Sequence, residues 1–306
     1  MGGTNLRGAI INEDGKISTR KKIKSDAKDG IKKLVQNLLS FIDQFSEFKP
    51  TAIGIGIPGI INQKDGKLIQ APNISDVSNY PIVKVLEDQL SPTPLVLEND
   101  ASSAAAGEFW KGSCKDSNSM IMLTLGTGLG GGIILNKQLW QGEEGMAGEI
   151  GHMIIDPNGP KCNCGSNGCL ESFVSAEAIR RIVRSSPALS GKTVDTEPDH
   201  IPEKIRDLAL EGDDEAIKIW MDFGRYLGMG ITNLINLLNV DSIAIGGGLS
   251  NAWDLFIDST NSEIKQRALE GPKSNLKIYR AELGDDAGII GSAYLAFNKL
   301  EFINKF

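Results

Sequence analysis

The 306-residue chain lacks several features that would assign it to a class at once. No apolar run approaches the ~20 residues of a membrane-spanning helix. The opening MGGTNLRGAI has neither the basic start nor the apolar core of a secretory signal. We therefore expect a cytosolic protein without a membrane partner. The net charge is −7 and no long basic block occurs, so we expect no nucleic-acid partner either.

Cysteine and histidine are also scarce, with four cysteines and two histidines in the whole chain. Three of the cysteines nevertheless fall within eight residues, in PKCNCGSNGCLES (160–172). A disulfide, a redox pair and a metal site are the candidate explanations. Disulfides rarely persist in the cytosol, and the spacing here is C-x-C instead of the C-x-x-C of thiol redox proteins.

A metal site explains this spacing best. His152 precedes the first of the three cysteines by nine intervening residues, so four nitrogen and sulfur ligands lie within eighteen residues. Tetrahedral zinc prefers this ligand set, and glycines and prolines between the ligands permit the tight turns that it needs. Four protein ligands leave no open position, so the zinc would be structural. The alternative is three incidental thiols and a surface histidine; Cys114 stands apart as an inert, half-buried thiol.

Two glycine-rich segments resemble each other. GTNLRGAIIN begins at Gly3 and GTGLGGGIILN begins at Gly126. Each combines Gly-Thr, a glycine-rich bend, an aliphatic strand and Asn, and Asp14-Gly15 after the first copy predicts a hairpin turn. The similarity indicates an internal duplication, with one copy opening each half of the chain.

The composition of these copies favours phosphate binding. Glycine allows backbone N–H groups to approach an oxyanion closely, and Thr4 and Thr127 add hydroxyl donors. Neither copy ends in the G-K-[ST] of a Walker A loop. A tight β-turn without a ligand is the alternative for each copy taken singly. A third cluster, in VDSIAIGGGLSNAWDLF (240–256), predicts a strand, a glycine loop and a helix; the loop could contact a base or ribose, or be a plain turn.

The remaining pattern predicts an α/β protein. Apolar spacing predicts helices over 31–45, 175–184, 213–239 and 252–269, and glycines 224, 228 and 230 in the long helix indicate close packing. The polar stretch 186–200 suggests a mobile surface loop. A closing helix follows, with Asp285 as its expected N-cap. Strands alternate with helices in two halves, which predicts a mixed sheet in each of two lobes and a ligand cleft between them.

Candidate catalytic residues lie in LVLENDASSAAAGEF, where a strand gives way to a helix at Asn99 and Asp100. Ligands bind at the carboxyl ends of strands in α/β sheets, so a carboxylate there could accept a proton from a substrate hydroxyl. The alternative is that Asp100 only caps the helix. Glu149, His152 and Glu171 bracket the cysteine cluster, either as contacts for a polyhydroxylated ligand or as solvated loop charges.

Taken together, these motifs resemble the sugar kinases of the ROK family (repressors, open reading frames, kinases), among them the bacterial glucokinases. GGTNLRGAI and LTLGTGLGGGII resemble its phosphate motifs, and GIGIPGII and LENDASSAAAGE its sugar-side motifs. GEIGHM with CNCGSNGCLE resembles its zinc-bearing signature. The resemblance implies an actin-like, hexokinase-type α/β fold with a smaller lobe (1–112 plus 288–306) and a larger lobe (113–287) that contains a zinc loop (152–169). It also implies transfer of phosphate from Mg²⁺-ATP to a hexose, usually at the 6-hydroxyl.

The resemblance also assigns roles by position. Asp100 matches the general base. The implied sugar contacts are Asn99, Asp100, Glu149, His152 and Glu171. The implied zinc ligands are His152, Cys162, Cys164 and Cys169. The expected nucleotide contacts are Gly2, Gly3, Thr4, Asn5, Gly126, Thr127, Gly128, Gly247 and Gly248.

One departure concerns magnesium. Family members usually carry an Asp just before Gly-Gly-Thr, and here Met1 precedes Gly2, so no Mg²⁺ ligand is assigned. Glucose is the expected hexose, with N-acetylglucosamine or N-acetylmannosamine as alternatives, and the resemblance suggests a homodimer or homotetramer. A sugar-sensing repressor and a non-catalytic sugar-binding protein are the alternatives of a different class.

Overall fold

The structure is a computed structural model that describes residues 5–71 and 73–303. The chain divides into two compact units. Unit 1 comprises Met1–Met122, Gly132–Gly148 and Ala281–Phe306, and unit 2 comprises Leu123–Gly131 and Glu149–Arg280. The first part of the chain forms β1 (Asn5–Ile11), β2 (Ile17–Lys24), α1 (Ile31–Asp43), β3 (Ile53–Ile57), β4 (Ile60–Asn62), β5 (Lys67–Gln70), α2 (Ile82–Leu90), β6 (Leu95–Asn99) and α3 (Asp100–Lys111).

The second part of the chain begins with three strands and continues mainly in helices. Its elements are β7 (Met120–Leu125), β8 (Leu129–Leu135), β9 (Gln138–Leu139), α4 (Ala176–Ser185), α5 (Pro187–Lys192), α6 (Ile201–Leu210), α7 (Asp214–Leu238), β10 (Ser242–Gly246), α8 (Trp253–Arg267), α9 (Glu270–Ser274), β11 (Lys277–Arg280) and α10 (Ala287–Ile303). Among the described residues, no helix is both long and apolar enough to cross a membrane.

Both glycine-rich segments form hairpins, as the turn signal at Asp14-Gly15 predicts for the first. β1 pairs antiparallel with β2, and Gly15, at φ +78°, donates its N–H to the Asn12 carbonyl in the turn. β8 pairs antiparallel with β9 through a turn in which Asn136 and Lys137 both have positive φ. β1 and β8 are each seven residues long, which is consistent with the duplication.

The sheets combine parallel and antiparallel pairs, as expected for a mixed sheet. One five-stranded sheet has the order β11-β10-β7-β8-β9, with β10 and β11 parallel and β8 and β9 antiparallel. In unit 1, β3 pairs in parallel with β6, from Ile53 opposite Leu95 to Ile57 opposite Asn99. The core beside these strands includes Leu34, Phe41 and Leu86.

Helix α3 is built of small residues because another helix lies directly against it. All residues from Ala101 to Phe109 are buried. A Cβ at Gly107 would overlap the Ala287 carbonyl, and a Cβ at Gly291 would overlap the Ser103 carbonyl. The expected N-cap of α10 is wrong: Asp285 lies in a 3-10 turn (Gly284–Asp286) before the helix, where its carboxylate lies 2.6 Å from Arg7 Nη1.

Unit 2 contains the long helix α7, and the prediction of close packing at its glycines is confirmed. Gly224 lies against the Phe256 carbonyl and Gly228 against Thr260, both on α8. Gly230 lies against the Leu170 side chain. A side chain at any of these three positions would force the packed elements apart.

The prediction of a mobile surface loop over 186–200 is wrong for its first part, which is helical. Pro187–Lys192 forms α5, and the Ser186 hydroxyl caps it by accepting from the Leu189 N–H at 3.3 Å. Leu189 is buried. Serine at the N-cap followed by proline in the first turn is a helix-start signal, which the polar composition of this stretch obscured.

Candidate active site

The four predicted metal ligands lie together in unit 2. One ligand atom from each of the four residues fits within 4.8 Å of the others. Cys162 Sγ lies 3.7 Å from His152 Nδ1, and Cys164 Sγ lies 3.6 Å from Cys169 Sγ. Tetrahedral zinc, with bonds of about 2.3 Å to sulfur and 2.0 Å to nitrogen, requires ligand separations of about 3.5 to 3.8 Å. The donor set and its spacing therefore fit zinc.

Tight turns bring these ligands together. Gly165, at φ +96°, donates its N–H to the Cys162 carbonyl at 3.0 Å. Gly168 has φ +67°, and a Cβ there would overlap the Asp156 carbonyl. One isolated bridge joins Ile154 to Cys169, and a second joins Lys161 to Asn167. The glycines are required at these two places because other residues would be strained or would collide.

The thiols differ in their tendency to ionise. Burial raises the pKa of Cys169 to about 12, whereas a backbone hydrogen bond from Ser166 lowers the pKa of the exposed Cys164. Zinc binds thiolates, so metal binding must release protons here and supplies the positive charge that stabilises the ionised sulfurs. Cys114 is fully buried, instead of half-buried, and lies outside the cluster.

His152 has one ring nitrogen toward the cluster and the other toward Glu149. Nδ1 lies on the Cys162 side, while Nε2 is 4.0 Å from Glu149 Oε2. Both side chains are more than one-third exposed. A metal on Nδ1 would fix the ring with Nε2 directed toward Glu149.

Glu171 contacts the second glycine-rich turn, which sequence reasoning did not predict. Its Oε2 accepts a hydrogen bond from the Leu129 N–H at 2.8 Å, and it lies so close to Gly128 that a Cβ there would overlap the carboxylate. One residue separates Glu171 in the chain from Cys169, a predicted zinc ligand. The carboxylate therefore connects the zinc loop to the Gly126–Gly128 turn.

The second and third glycine clusters also lie together in unit 2. The Gly126 N–H donates to the Gly128 carbonyl at 2.9 Å, which closes a turn with Thr127 exposed at its tip. Gly247, at φ +84°, is so close to the Leu125 carbonyl that a Cβ would overlap it. Gly247 and Gly248 are exposed. Their grouping makes an exposed, backbone-rich surface of the kind that binds phosphate.

The first glycine-rich copy is described only in part. Gly2, Gly3 and Thr4 lie outside the described residues, and Asn5 is the first residue of β1.

In unit 1, Asn99 and not Asp100 caps α3. Asn99 Oδ1 accepts from the N–H groups of Ala101 and Ser102 at 2.8 and 3.1 Å, and its amide donates to the Gly59 carbonyl at 3.0 Å. The alternative that Asp100 serves as the N-cap is therefore wrong. Asp100 is the first residue of the helix, and burial raises the pKa of its carboxyl group.

A further carboxylate at this strand end was missed from the sequence. Glu98 is only 2% exposed, and it accepts hydrogen bonds from the Asn99 N–H and from the side-chain amides of Gln63 and Gln141. Burial nevertheless raises its pKa. The signal was a charged residue within the apolar strand LVLEN, but its partners are distant in sequence.

Comparison with known proteins identifies the family. The sequence profile of the ROK family matches residues 1–299. The chain belongs to the ROK family. The glucokinase of Halalkalibacterium halodurans is 34% identical over 307 residues, covering 96% of this chain and 92% of the relative. The glucokinase of Thermotoga maritima is 32% identical over 302 residues, covering 96% and 94%.

Solved structures of ROK proteins have the same fold. A ROK family glucokinase from Streptomyces griseus, in complex with glucose and AMPPNP, matches with a TM-score of 0.81 at 31% identity, over 97% of each chain. The predicted family and the actin-like fold that it implies are thus confirmed.

Proposed function

We propose that this ROK protein is a hexose kinase that transfers the γ-phosphate of Mg²⁺-ATP to the 6-hydroxyl of glucose. The observation that carries the proposal is Asp100, a carboxylate at a strand end where Asn99 is the N-cap of α3 and Asp100 Oδ1 accepts only from the Ala101 N–H, at 3.0 Å, among the described residues. The glucose and AMPPNP bound by the Streptomyces griseus relative support the choice of sugar and nucleotide.

Asp100 would act as the general base. Burial raises its pKa, which makes the carboxylate a stronger proton acceptor than an exposed aspartate. It would orient the 6-hydroxyl and accept its proton as the oxygen attacks the γ-phosphorus and the bond to ADP breaks. In phosphoryl transfer most of the remaining catalysis is positioning and stabilisation of phosphate charge.

The glycine-rich turns would hold the nucleotide. Gly126, Thr127 and Gly128 would bind phosphate oxygens through backbone N–H groups and the threonine hydroxyl. Gly247 and Gly248, next to this turn, would contact the base or ribose. The first copy (2–5) would bind phosphate in the same way. Mg²⁺ would neutralise phosphate charge when bound, and no protein ligand is assigned to it.

The sugar contacts would come from two places in the sequence. Asn99 would contact the sugar from the end of β6. Glu149, His152 and Glu171 would contact it from in or beside the zinc loop. Zinc, when bound to His152, Cys162, Cys164 and Cys169, would supply a rigid anchor for these side chains and no reacting atom.

Release of ADP from Mg²⁺-ATP by the purified, zinc-loaded protein tests the proposal. Glucose, N-acetylglucosamine, N-acetylmannosamine, mannose and fructose are compared in parallel. Release that depends on glucose supports the proposal, and release with another sugar alone corrects the substrate. Absence of release with every sugar would favour the sugar-binding alternative, provided that glucose binds when titrated directly.

A further inference from the structure

The buried Glu98 has no part in the function proposed above. Burial of an ionised carboxylate is costly unless other groups compensate for the lost water. In residues 5–71 and 73–303, no Lys, Arg or His lies within ion-pair distance of Glu98. Hydrogen bonds from the described residues compensate for the cost of burying this carboxylate. Their donors therefore show which chain segments the carboxylate fixes in position.

Three donors converge on Glu98. Oε1 accepts from the backbone N–H of Asn99 at 2.7 Å. Oε2 accepts from Gln141 Nε2 at 2.5 Å and from Gln63 Nε2 at 3.4 Å. Gln63 Nε2 also donates to the Leu97 carbonyl at 2.8 Å. Every bond to the carboxylate uses it as an acceptor, which favours the ionised form.

These bonds attach a separate chain segment to the strand end. The Gln63 N–H donates to the Glu144 carbonyl at 2.8 Å, and Gly145 lies against the Gln63 side chain. The Ala147 N–H donates to the Gln141 carbonyl at 3.0 Å, which closes the segment on itself. All these residues belong to unit 1, and Glu149 follows the segment directly in the chain.

We propose that Glu98 is a positioning residue for the hexose side of the reaction. Its carboxylate fixes the peptide between Glu98 and Asn99, immediately before the base Asp100. Through Gln63 and Gln141 it also fixes residues 141–148, which lead into Glu149. The proposal rests on the proposed function. A displacement of about 1 Å at a reacting group costs up to about 100-fold in rate, so the orientation of this strand end bears directly on turnover.

A second buried glutamate of unit 1 provides a matched control. Glu108, on α3, is fully buried and accepts from the N–H groups of Ser113, Glu282 and Leu283 and from the Ser113 hydroxyl. None of these donors is a proposed site residue. If Glu98 were only structural, substitution at the two positions would have the same kind of effect.

The experiment compares Glu98→Gln with Glu108→Gln in the full, zinc-loaded chain. The substitution keeps the shape but directs an amide N–H toward donors. For Glu98→Gln we expect kcat/KM for glucose to fall about 10- to 100-fold, while KM for ATP changes less than about threefold. For Glu108→Gln we expect a lower Tm with kcat and both KM values unchanged in the folded fraction. Gln141→Leu should reproduce a weaker form of the Glu98 effect.

Several outcomes would overturn the proposal. One is a folded Glu98→Gln protein whose glucose KM and kcat equal those of the unchanged protein. If Glu98→Gln does not fold, unchanged glucose kinetics in Gln141→Leu overturn it instead. If the unchanged protein releases no ADP with any hexose, both the proposed function and this proposal fail. If the unchanged protein is active and only the variants contradict the expectation, the failure is confined to Glu98.

Discussion

The strand end Glu98–Asp100 and the zinc loop hold proposed contacts for the same sugar, but they are built differently. At the strand end, parallel pairing of β6 with β3, the Asn99 cap and a buried hydrogen-bond network fix each residue. Between residues 152 and 169 the chain has only isolated bridges and single turns, and four ligand side chains converge instead. Regular structure holds the first region, and side-chain ligation would hold the second.

The two kinds of construction suit two different requirements of a kinase, which are placement of the base and binding of the sugar. The base must be placed by elements that fold without a cofactor, because small displacements reduce turnover steeply. Groups that only bind the sugar can depend on a metal, because a change in the loop alters affinity more than chemistry. Substitutions that affect one region and leave the other intact test this division.

Removal of the base should have the largest effect. Asp100→Asn keeps the side-chain shape, and Asn99 still caps α3, so the fold should persist. We expect kcat to fall by at least about 100-fold, the usual loss for a general base. Glucose binding, measured by calorimetry, should stay within a few-fold of that of the unchanged protein. Near-normal ADP release would show that Asp100 is not the base.

Loss of the metal should come next. Cys164 is exposed, so Cys164→Ser removes a ligand without opening a core cavity. We expect loss of bound zinc and about 10- to 100-fold weaker glucose binding, because the groups around the loop lose their anchor. Zinc content by atomic absorption and glucose titration measure both effects. Cys114→Ser, outside the cluster, should keep its zinc, and a zinc-free Cys164→Ser protein that binds glucose normally would contradict the anchoring role.

The pH dependence of kcat/KM for glucose should have a smaller effect, through the ionisation of Asp100 at the strand end. Only the ionised Asp100 accepts a proton, so kcat/KM for glucose should fall about tenfold per pH unit once the pH drops below its pKa. Since burial raises the pKa of Asp100, this fall should begin above the ordinary aspartate value of about 3.9. A pH–rate profile at constant zinc content measures it. An acid limb at or below the ordinary value would contradict the effect of burial.

Removal of a helix cap should have the smallest effect. Asn99→Ala and Ser175→Ala each delete an N-cap, of α3 and α4 respectively. Each should lower the free energy of unfolding by about 1 kcal/mol in urea denaturation. Only Asn99→Ala should also raise the KM for glucose. Equal glucose kinetics in the two variants would remove Asn99 from the sugar contacts.

Features with local sequence signals were predicted well. The glycine-rich hairpins, helices α1 and α7, and the ligand cluster all follow from spacing within short windows. Features that depend on distant partners were not. Glu98 meets amides 35 and 43 residues away, and Glu171 meets a backbone N–H 42 residues away. The periodicity of the sequence does not indicate such pairings, because they form only when the chain has packed.

The contact between α3 and α10 has a consequence for synthesis of the protein. The Gly107 and Gly291 surfaces belong to the same unit but are far apart in the chain. Chains fold as they leave the ribosome, starting from the N-terminal side. The predicted zinc ligands emerge almost together, whereas the small-residue face of α3 stays uncovered until α10 has been synthesised. The nascent chain should therefore be most exposed to proteases and chaperones at α3, until residues beyond 287 are available to cover it.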